Sequence, residues 1–504
     1  MSDQQSAQRR ENLEALRALG VDPYPYRYPA TDHAIPVQER FEELASTQEP
    51  VSLAGRLTAI RSHGKSTFAH LLDRTGTIQL YLKLNVVGEE AYAVVKLLDI
   101  GDLVGVKGPL FRTRTGEITV EVRELAFLAK CLRPLPEKWH GLRDVETRYR
   151  QRYLDLIVTE ETRRVFRVRA DVIRTIREFL DGRGFLEVDT PVLQPLYGGA
   201  FARPFVTRHH ALDMDLYLRI SNELYLKRLI VGGLERVYEI ARDFRNEGID
   251  RTHNPEFSML EFYQAYADYE DMMETTEELV ASCIREAAGG YQVPFRDHTL
   301  DFAPPWRRVP YYDALREATG TDLAAADEPA LREAAARLGV DLKGAVSASQ
   351  VVDTLFSETV EPNLVQPTFV TDFPAELSPL AKRHRRLEGR VERFELFTAG
   401  FELANAFSEQ NDPAAQAAAF ARQAELREAG DQEAQMMDHD YLRALQTGMP
   451  PTGGVGIGVD RLVMLATGAV NIREVILFPQ LRPEEGRSSR EEDAAREAEV
   501  GSEG

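Results

Sequence analysis

Two apolar runs that alternate with polar residues, at 235–247 and 255–267, constrain the fold more than any other feature of the chain. Alternation of this kind is typical of half-buried strands, and two such runs joined by a loop predict an antiparallel hairpin. The connecting stretch, FRNEGIDRTHNPEF at 244–257, is longer and more charged than the two to five residues of an ordinary hairpin turn. We therefore expect this loop to bind a ligand, and a solvated turn is the alternative.

Further strands of the same kind are predicted at 367–373 and 394–407, beyond a mostly helical, alanine-rich insertion near 310–360. A helix at about 161–181 precedes them, and a short strand ending at Pro191 follows that helix. One long antiparallel set of strands with separately placed helices predicts an α+β domain rather than a parallel nucleotide-binding fold. The prediction places this domain at residues 151–483.

The segment 51–130 has a different pattern, with three short strands, a helix and two more strands. That order predicts an OB barrel, an all-β domain that binds oligonucleotides. An N-terminal helix and linker at 1–50 precede the barrel, and a proline-punctuated linker at 131–150 follows it. The charged tail at 484–504 is predicted to be disordered.

Charge and cysteine content narrow the class of protein. The formal net charge of −20 does not exclude RNA as a partner, because charges are screened beyond about 8 Å at physiological salt and a local basic face can still bind it. The two cysteines, Cys131 and Cys283, fit a reducing compartment rather than a disulfide framework. With no apolar run near 18 residues and no signal-peptide pattern, we expect a cytoplasmic protein without membrane spans.

The hairpin carries the first candidate site. Period-two alternation places Arg245 and Glu247 on one face, and it also places Phe257, Glu261 and Tyr263 together on the returning strand. An arginine fork suits a phosphate and an aromatic plane suits a base, so the hairpin is predicted to bind a nucleotide. The alternative is a solvated turn above a core aromatic residue.

The stretch GVGIGVDR at 454–461 is the second candidate site. Its glycines 454, 456 and 458 have strand spacing, so one face carries no side chains and a ligand can approach the backbone. Arg461 would open the next helix, where the positive end of the helix dipole favours an anion. Tight packing between strand and helix is the alternative.

The stretch FELFTAGFELANAFSEQND at 394–412 is the third. Glu395 and Glu402 flank a predicted turn at 399–400, so their carboxylates can meet across a hairpin. Paired acids are costly unless a cation such as Mg²⁺ neutralises them. Surface acids in contact with water are the alternative.

The same stretch holds Asn405 and Glu409, which share a strand face because they are four residues apart. Strict alternation would place Glu402 on the opposite face. We therefore predict a β-bulge if all of these side chains are to line one site.

Taken in order, these motifs resemble those of the class II aminoacyl-tRNA synthetases. GFLEVDTPVLQP at 184–195 is similar to the family's first motif, and the two stretches at 244–257 and 454–461 are similar to its second and third. The OB barrel is typical of the aspartate, asparagine and lysine subgroup. Within it, YGGAFARPF at 197–205 and ISNELYLKRLIVGG at 220–233 resemble the lysyl-tRNA synthetases, and the resemblance covers about 1–482.

The resemblance implies that lysine is activated by ATP to lysyl-adenylate and then transferred to the 3′ end of tRNA(Lys). It implies two catalytic arginines, with Arg245 on the α-phosphate and the amino-acid carboxylate, and Arg461 on adenine and the γ-phosphate. The other implied ATP ligands are Glu247, His253, Asn254 and Phe257, with Phe257 stacked on adenine. The implied ligands of Mg²⁺, with more than one ion per site, are Glu395 and Glu402. The implied lysine ligands, besides Arg245, are Gly199, Glu223, Tyr263, Asn405 and Glu409.

In the barrel, the resemblance implies that Arg61, Phe68 and Gln79 read the anticodon, with Phe68 stacked on its central uridine. A place for Phe68 in the barrel core is the alternative. The family usually forms homodimers through the first motif, so a homodimer is expected. Phe401 departs from the family pattern, which commonly has arginine there, so the local hairpin surface is expected to differ.

Two other functions stay open at this stage. An aspartyl- or asparaginyl-type synthetase is the nearer alternative, although an acidic pocket suits aspartate poorly. A non-catalytic RNA-binding scaffold is the other, although loss of Arg245 or Arg461 would be its signature and both are present.

Overall fold

The computed structural model divides into two compact units, residues 1–143 and 144–504. The residues that it describes are 2–136, 142, 144–342, 344–345, 347–428 and 435–483. The charged tail predicted at 484–504 lies outside the described residues, as does part of the linker predicted at 131–150. No helix among the described residues is long and apolar enough to cross a membrane.

The first unit holds a seven-stranded sheet in the order β5-β6-β3-β2-β1-β4-β7. Its elements are α1 (Ser2–Ala18), α2 (Ala34–Glu39), α3 (Phe41–Thr47), β1 (Val51–His63), β2 (Ser66–Leu72), β3 (Thr77–Lys83), α4 (Leu84–Val87), α5 (Glu89–Val95), β4 (Leu103–Gly108), β5 (Leu110–Arg112), β6 (Ile118–Glu121) and β7 (Glu124–Ala129). The predicted order of three strands, helix and further strands is present, and the all-β barrel is confirmed.

The last two strands predicted for the barrel are each broken into two. The first break falls at Gly108-Pro109, where β4 leaves its partners β1 and β7 and β5 begins to pair with β6. A side chain at Gly108 would lie 1.9 Å from the carbonyl oxygen of Glu121, so only glycine fits this corner. The second break separates β6 from β7, so both corners let the sheet curve on itself.

The second unit is built on an eight-stranded sheet in the order β16-β17-β18-β19-β20-β13-β12-β8. Its strands are β8 (Leu186–Glu187), β9 (Leu193–Gln194), β10 (Val206–His209), β11 (Met214–Leu218), β12 (Arg236–Phe244), β13 (Glu256–Ala265), β14 (Gln292–Phe295), β15 (His298–Asp301), β16 (Arg307–Pro310), β17 (Thr368–Thr371), β18 (Arg393–Thr398), β19 (Phe401–Ser408) and β20 (Thr452–Gly458). All pairings inside this sheet are antiparallel except those of the two edge strands, β16 and β8. The α+β class is therefore confirmed.

The helices of the second unit lie around this sheet. They are α6 (Val145–Arg150), α7 (Arg152–Val158), α8 (Glu160–Asp181), α9 (Glu223–Val231), α10 (Tyr269–Ala288), α11 (Tyr311–Thr319), α12 (Glu328–Leu338), α13 (Ala348–Thr359), α14 (Pro413–Glu428), α15 (His439–Thr447), α16 (Val459–Thr467) and α17 (Ile472–Val475), with short 3₁₀ turns at 361–363 and 375–377. Helix α8 matches the helix predicted at about 161–181. Val165, Val168, Val172, Ile176 and Leu180 bury one face of α8.

Candidate active site

The predicted hairpin is present and forms the floor of a cleft. Strands β12 and β13 pair from Phe244 opposite Glu256 to Arg236 opposite Gln264, and the charged loop joins them. Strand β13 then pairs with β20, and β20 pairs with β19. The three stretches singled out in the sequence therefore become neighbours in the middle of one sheet.

One row of residues crosses these strands. Glu395 pairs with Asn405, Asn405 with Gly456, and Gly456 with Glu261. Paired residues in neighbouring strands project to the same face of a sheet. Because Gly456 lacks a side chain and a Cβ there would meet no atom nearer than 3.8 Å, the row has a hollow at its centre between carboxylate and amide groups.

The predicted bulge is also confirmed. Along β18 and β19 the register runs from Leu396 opposite Ala404 to Phe397 opposite Glu402, so Leu403 is the extra residue. The turn before it has left-handed backbone at both positions, with φ of 54° at Ala399 and 78° at Gly400. The extra residue shifts the alternation and brings Glu402 to the cleft with Glu395.

A cavity of about 350 Å³ opens over this part of the sheet. Every site residue predicted for the second unit lines it: Gly199, Glu223, Arg245, Glu247, His253, Asn254, Phe257, Tyr263, Glu395, Glu402, Asn405, Glu409 and Arg461. The structure thus brings together residues that are up to 262 positions apart in the chain, since Gly199 and Arg461 are the outermost of this set.

The guanidinium of Arg245 lies 5.0 Å from the centre of the Phe257 ring. Its Nε donates a hydrogen bond to the carbonyl oxygen of Ile220 over 3.4 Å. Asn254 also lines the cavity, and its buried side chain donates a hydrogen bond to the carbonyl oxygen of Glu256. The Oδ1 atom of Asn254 has no hydrogen-bond partner in the described structure. A buried acceptor without a donor marks a place where a ligand can bind.

Arg461 stands in the first turn of α16, at the end of the glycine strand. Its Nη1 donates to the carbonyl oxygen of Glu402 over 2.5 Å, and its Nη2 lies 3.1 Å from Nε2 of His253. The neighbouring Asp460 accepts a hydrogen bond from the backbone nitrogen of Ser258, which fixes the start of α16 against β13. Arg461 therefore meets the charged loop at His253, and both Arg245 and Arg461 line the same cavity.

Phe401, which departs from the family pattern, belongs to the hydrophobic core. Its ring packs against Phe295 with 6.1 Å between ring centres, and the guanidinium carbon of Arg461 lies 5.9 Å from its centre. The difference at this position thus changes packing under Arg461 rather than the charge of an exposed surface.

The deepest part of the cavity is acidic. Burial raises the pKa of Glu409 to about 8, against the opposing charge of Lys227. Burial also raises the pKa of Glu261 to about 8, and the nearby Asp243 and Glu223 add to that rise. The hydroxyl of Tyr263 donates to Glu261 over 3.0 Å. This end of the cavity can therefore accommodate a cation, which would favour the ionised carboxylates.

The other end of the cavity holds the two acids predicted to bind metal. Burial raises the pKa of Glu395 to about 8, Arg393 opposes that rise, and the charges of Glu402 and Glu361 add to it. Among the described residues no three His, Cys, Asp or Glu side chains are close enough to hold a metal alone. Two carboxylates with excess negative charge fit Mg²⁺, which commonly completes its octahedron with water and phosphate oxygens.

Sequence reasoning missed two charged residues at this site. Arg393 donates to Glu395 and, from Nε, to Oδ1 of Asn405 over 3.1 Å. Lys227 pairs with both Glu223 and Glu409. Arg393 alternates with Glu395 on the same strand face, and Lys227 follows Glu223 by four residues on one helix face, so both spacings were visible in the sequence.

The three residues predicted in the barrel lie on one face of its sheet. Arg61 pairs with Phe68, which pairs with Tyr81, and the rings of Phe68 and Tyr81 stack with 4.7 Å between centres. Gln79 donates to Glu117 over 2.6 Å and accepts from Thr119 over 2.8 Å. Phe68 is only partly buried, whereas its neighbours in sequence, on the opposite face, are buried, so it does not belong to the barrel core.

Comparison with known proteins adds independent observations. Residues 144–482 match the family model described as tRNA synthetases class II (D, K and N), and residues 51–128 match the OB-fold nucleic acid binding domain. A lysine–tRNA ligase of Pelotomaculum thermopropionicum is 54% identical over 480 residues, which cover 95% of this chain and 94% of that protein. Lysine–tRNA ligases of Moorella thermoacetica and Roseiflexus castenholzii are each 55% identical over 95% of this chain and 98% of their own.

Proposed function

The chain belongs to the class II tRNA synthetases of the D, K and N group, and from that premise we propose how its cavity attaches lysine to tRNA. The activity is that of a lysine–tRNA ligase. One observation carries this conclusion: curated lysine–tRNA ligases share more than half of their residues with this chain over nearly its whole length. An aspartyl- or asparaginyl-type enzyme, or a scaffold without activity, is not favoured.

The first step joins lysine to AMP. A carboxylate oxygen of lysine attacks the α-phosphorus of ATP, the bond from that phosphorus to the bridging oxygen breaks, and pyrophosphate leaves. The attacking carboxylate is already ionised at neutral pH, so no general base is needed. Catalysis then depends on in-line positioning and on balancing charge at the α-phosphate. In the second step a ribose hydroxyl at the tRNA 3′ end attacks the lysyl carbonyl, and AMP leaves.

Arg245 and Arg461 are proposed to supply the positive charge. Arg245 would bind the α-phosphate together with the lysine carboxylate, and Arg461 would bind the γ-phosphate and cover one face of adenine. Phe257 would stack on the other face. Both guanidinium groups line one cavity, which supports this assignment, since a triphosphate bound there could contact both.

The loop residues would complete the ATP site. Glu247, His253 and Asn254 all line the cavity. Asn254 has a buried oxygen without a hydrogen-bond donor, and His253 already contacts Arg461. We propose that these side chains bind the nucleotide and hold the loop over it.

Glu395 and Glu402 would hold Mg²⁺, which supplies charge neutralisation at the phosphates. The pKa of Glu395, raised by burial and by nearby carboxylates, supports the assignment because an ion would relieve the same excess charge. Arg393 lies against Glu395 and would keep its carboxylate in place.

The acidic end of the cavity would bind lysine. Glu223 and the backbone at Gly199 would bind the α-ammonium, Asn405 would help to hold the carboxylate, and Glu409 with Tyr263 would bind the ε-ammonium. A neutral amino acid would leave Glu409 buried and unpaired, at a cost of about 3–5 kcal/mol. That cost corresponds to discrimination of roughly 10² to 10³ or more against neutral amino acids.

We further propose that residues 51–130 form the anticodon-binding domain and residues 151–483 the catalytic domain. Phe68 would stack on a base, and Gln79 and Arg61 would bond to its edge. We also propose that the protein is a homodimer and acts in the cytoplasm. The two cysteines, which are both free, are compatible with that compartment.

Amino-acid-dependent exchange of pyrophosphate into ATP tests the proposed function without tRNA. The assay is run with each standard amino acid in the presence of Mg²⁺. We expect efficient exchange with lysine and with no other amino acid. Equal exchange with aspartate or asparagine would contradict the lysine assignment, and absence of exchange with every amino acid would favour the scaffold.

A further inference from the structure

Lys227 has no place in the roles described so far, yet it is one of the most deeply buried charges of the second unit. Its side chain is fully buried in α9, behind the cavity wall. The ammonium pairs with Glu223 one turn earlier on the same helix and with Glu409 just after β19. Because burying an unpaired ammonium is very costly, the two carboxylates are needed to keep Lys227 charged in this position.

The two carboxylates that hold Lys227 are those assigned to the two ammonium groups of the substrate. Glu409 pairs with Lys227 through Oε2, which leaves Oε1 on the cavity side next to Gly454, where a Cβ would lie 2.1 Å from it. Oε1 is buried and has no hydrogen-bond donor in the described structure. Lys227 thus occupies one side of the carboxylate and leaves the other side for a ligand.

Other charged and titratable groups surround this pair. Glu261 and Tyr263 approach from β13, and Tyr441 approaches from α15 with its hydroxyl buried and without a hydrogen-bond partner in the described structure. The guanidinium carbon of Arg228 lies 5.4 Å from the centre of the Tyr441 ring. The environment of Glu409 therefore contains two further carboxylates and two phenols, and Lys227 is the cation in direct contact with it.

We propose that Lys227 is a positioning and specificity-determining residue for lysine. Its ammonium holds Glu409 and Glu223 apart in fixed orientations, and it favours the ionised form of Glu409 while leaving one oxygen available to the ε-ammonium of the substrate. The inference rests on the proposed function, in which Glu409 and Glu223 bind the two ammonium groups of lysine.

The charge balance explains why such a residue is needed. Without Lys227, the carboxylates of Glu223, Glu261 and Glu409 would face one another in a buried space, and like charges raise each other's pKa. The pKa of Glu409 would then rise further, and the ε-ammonium would more often meet a neutral acid. Even with Lys227 present, burial raises the pKa of Glu409 to about 8, so any further rise would lower the ionised fraction of Glu409 at neutral pH.

Replacement of Lys227 by methionine, which keeps the length and removes the charge, tests the proposal. We expect the KM for lysine in pyrophosphate exchange at pH 7.5 to rise by about tenfold or more, as for a shift of one pKa unit or more at Glu409. The KM for ATP should stay within about twofold. The pH above which the KM for lysine becomes constant should move upward, because the pKa of Glu409 rises.

Rescue by a small amine separates charge from packing. In Lys227→Ala the missing butylammonium leaves space beside Glu409, and ethylammonium or propylammonium chloride should lower the KM for lysine towards the native value. Lys107→Met is the matched control, since Lys107 is a half-exposed lysine of the first unit that pairs with Glu124. The control should show the native KM and no response to amine.

A folded Lys227→Met protein with a native pH profile for lysine and no amine rescue in Lys227→Ala would overturn the inference. If the methionine variant does not fold, Lys227→Gln serves in its place, with the same expected and contrary results. Glu409→Gln, measured in parallel, distinguishes failure of the proposed lysine pocket from failure of the proposed role of Lys227. A native KM for lysine in Glu409→Gln would refute the proposed lysine pocket, whereas a raised KM there with native behaviour at position 227 would refute only the role of Lys227.

Discussion

Gly454 and Glu409 approach so closely that a Cβ on Gly454 would lie 2.1 Å from Oε1 of Glu409. The same Cβ would lie 2.3 Å from Cε1 of Tyr263, which pairs with Gly454 across β13 and β20. The absence of a side chain at Gly454 thus leaves space for Glu409 and Tyr263, the two side chains that we propose bind the lysine ε-ammonium.

The first prediction compares two glycines of this strand. Gly454→Ala should displace Glu409 or Tyr263 and raise the KM for lysine by about tenfold or more, because the loss of a charged hydrogen bond costs about 1.5–3 kcal/mol. Gly456→Ala meets no atom nearer than 3.8 Å and should leave the Tm of the ligand-free protein unchanged. Its methyl group would fill the hollow beneath the substrates, so adenylate formation should still fall. Normal exchange kinetics in Gly456→Ala would mean that no substrate approaches the backbone there.

The second prediction concerns the metal end of the cavity. Glu395→Gln should raise the Mg²⁺ concentration for half-maximal exchange by about tenfold, since one carboxylate ligand of the ion is lost. Its Tm should change little, because an amide oxygen at this position can still accept the hydrogen bond of Arg393. Glu358→Gln, a change of an exposed carboxylate on α13, is the control and should leave the Mg²⁺ dependence unchanged. An unchanged Mg²⁺ requirement in Glu395→Gln would remove Glu395 from the ion's ligands.

The third prediction follows from the pKa values of the buried acids. Glu261, Glu395 and Glu409 have an ordinary pKa of 4.5 and a folded-state pKa of about 8. Between these values the folded protein binds more protons than the unfolded chain, so their contribution to the free energy of unfolding decreases as pH rises and is lost above about pH 8.

Thermal unfolding of the ligand-free protein between pH 6 and 8.5 measures this effect. The decrease in Tm with pH should be smaller in Glu261→Gln than in the native protein, because one of the titrating groups is gone. Glu286→Gln, which removes an exposed carboxylate on α10, should keep the native slope. A Glu261→Gln slope equal to that of the control would show that Glu261 does not titrate in this range.

The fourth prediction concerns the barrel. Phe68→Ala should raise the KM for tRNA in aminoacylation by roughly tenfold to a hundredfold, because stacking on an aromatic ring contributes about 1–3 kcal/mol per base. Pyrophosphate exchange without tRNA should be unchanged, since Phe68 lies in the first unit. Tyr26→Ala, which removes a fully exposed ring of the same unit, should alter neither reaction. Equal losses in exchange and aminoacylation by Phe68→Ala would contradict a separate anticodon site.

Much of the cleft could be predicted because local patterns determine it. Alternation predicted the β12–β13 hairpin, and the conflict between Glu402 and Asn405 on strict alternation predicted the bulge at Leu403. The bare face of the glycine strand was also visible, because the absence of a side chain is a property of the sequence itself.

Other features depended on tertiary contacts and could not be read in the same way. The corner at Gly108-Pro109 is imposed by the closeness of Glu121, a residue from another strand. Lys227 looked like one end of an ordinary i,i+4 pair on a helix, which is usually exposed. In the structure Lys227 is buried and has a second partner, Glu409, which lies 182 positions later in the chain. Only the folded sheet brings the two residues together.

The most direct test of the central claim, that Glu409 binds the charged end of lysine, pairs a change in the protein with a change in the ligand. Isothermal titration would give the Kd of lysine and of norleucine, which lacks the ε-ammonium, for the native protein and for Glu409→Gln. We expect the affinity for lysine to fall by about 10² or more in the variant, the affinity for norleucine to change little, and the coupling free energy to be about 3 kcal/mol. A coupling near zero, with both ligands weakened equally, would contradict it.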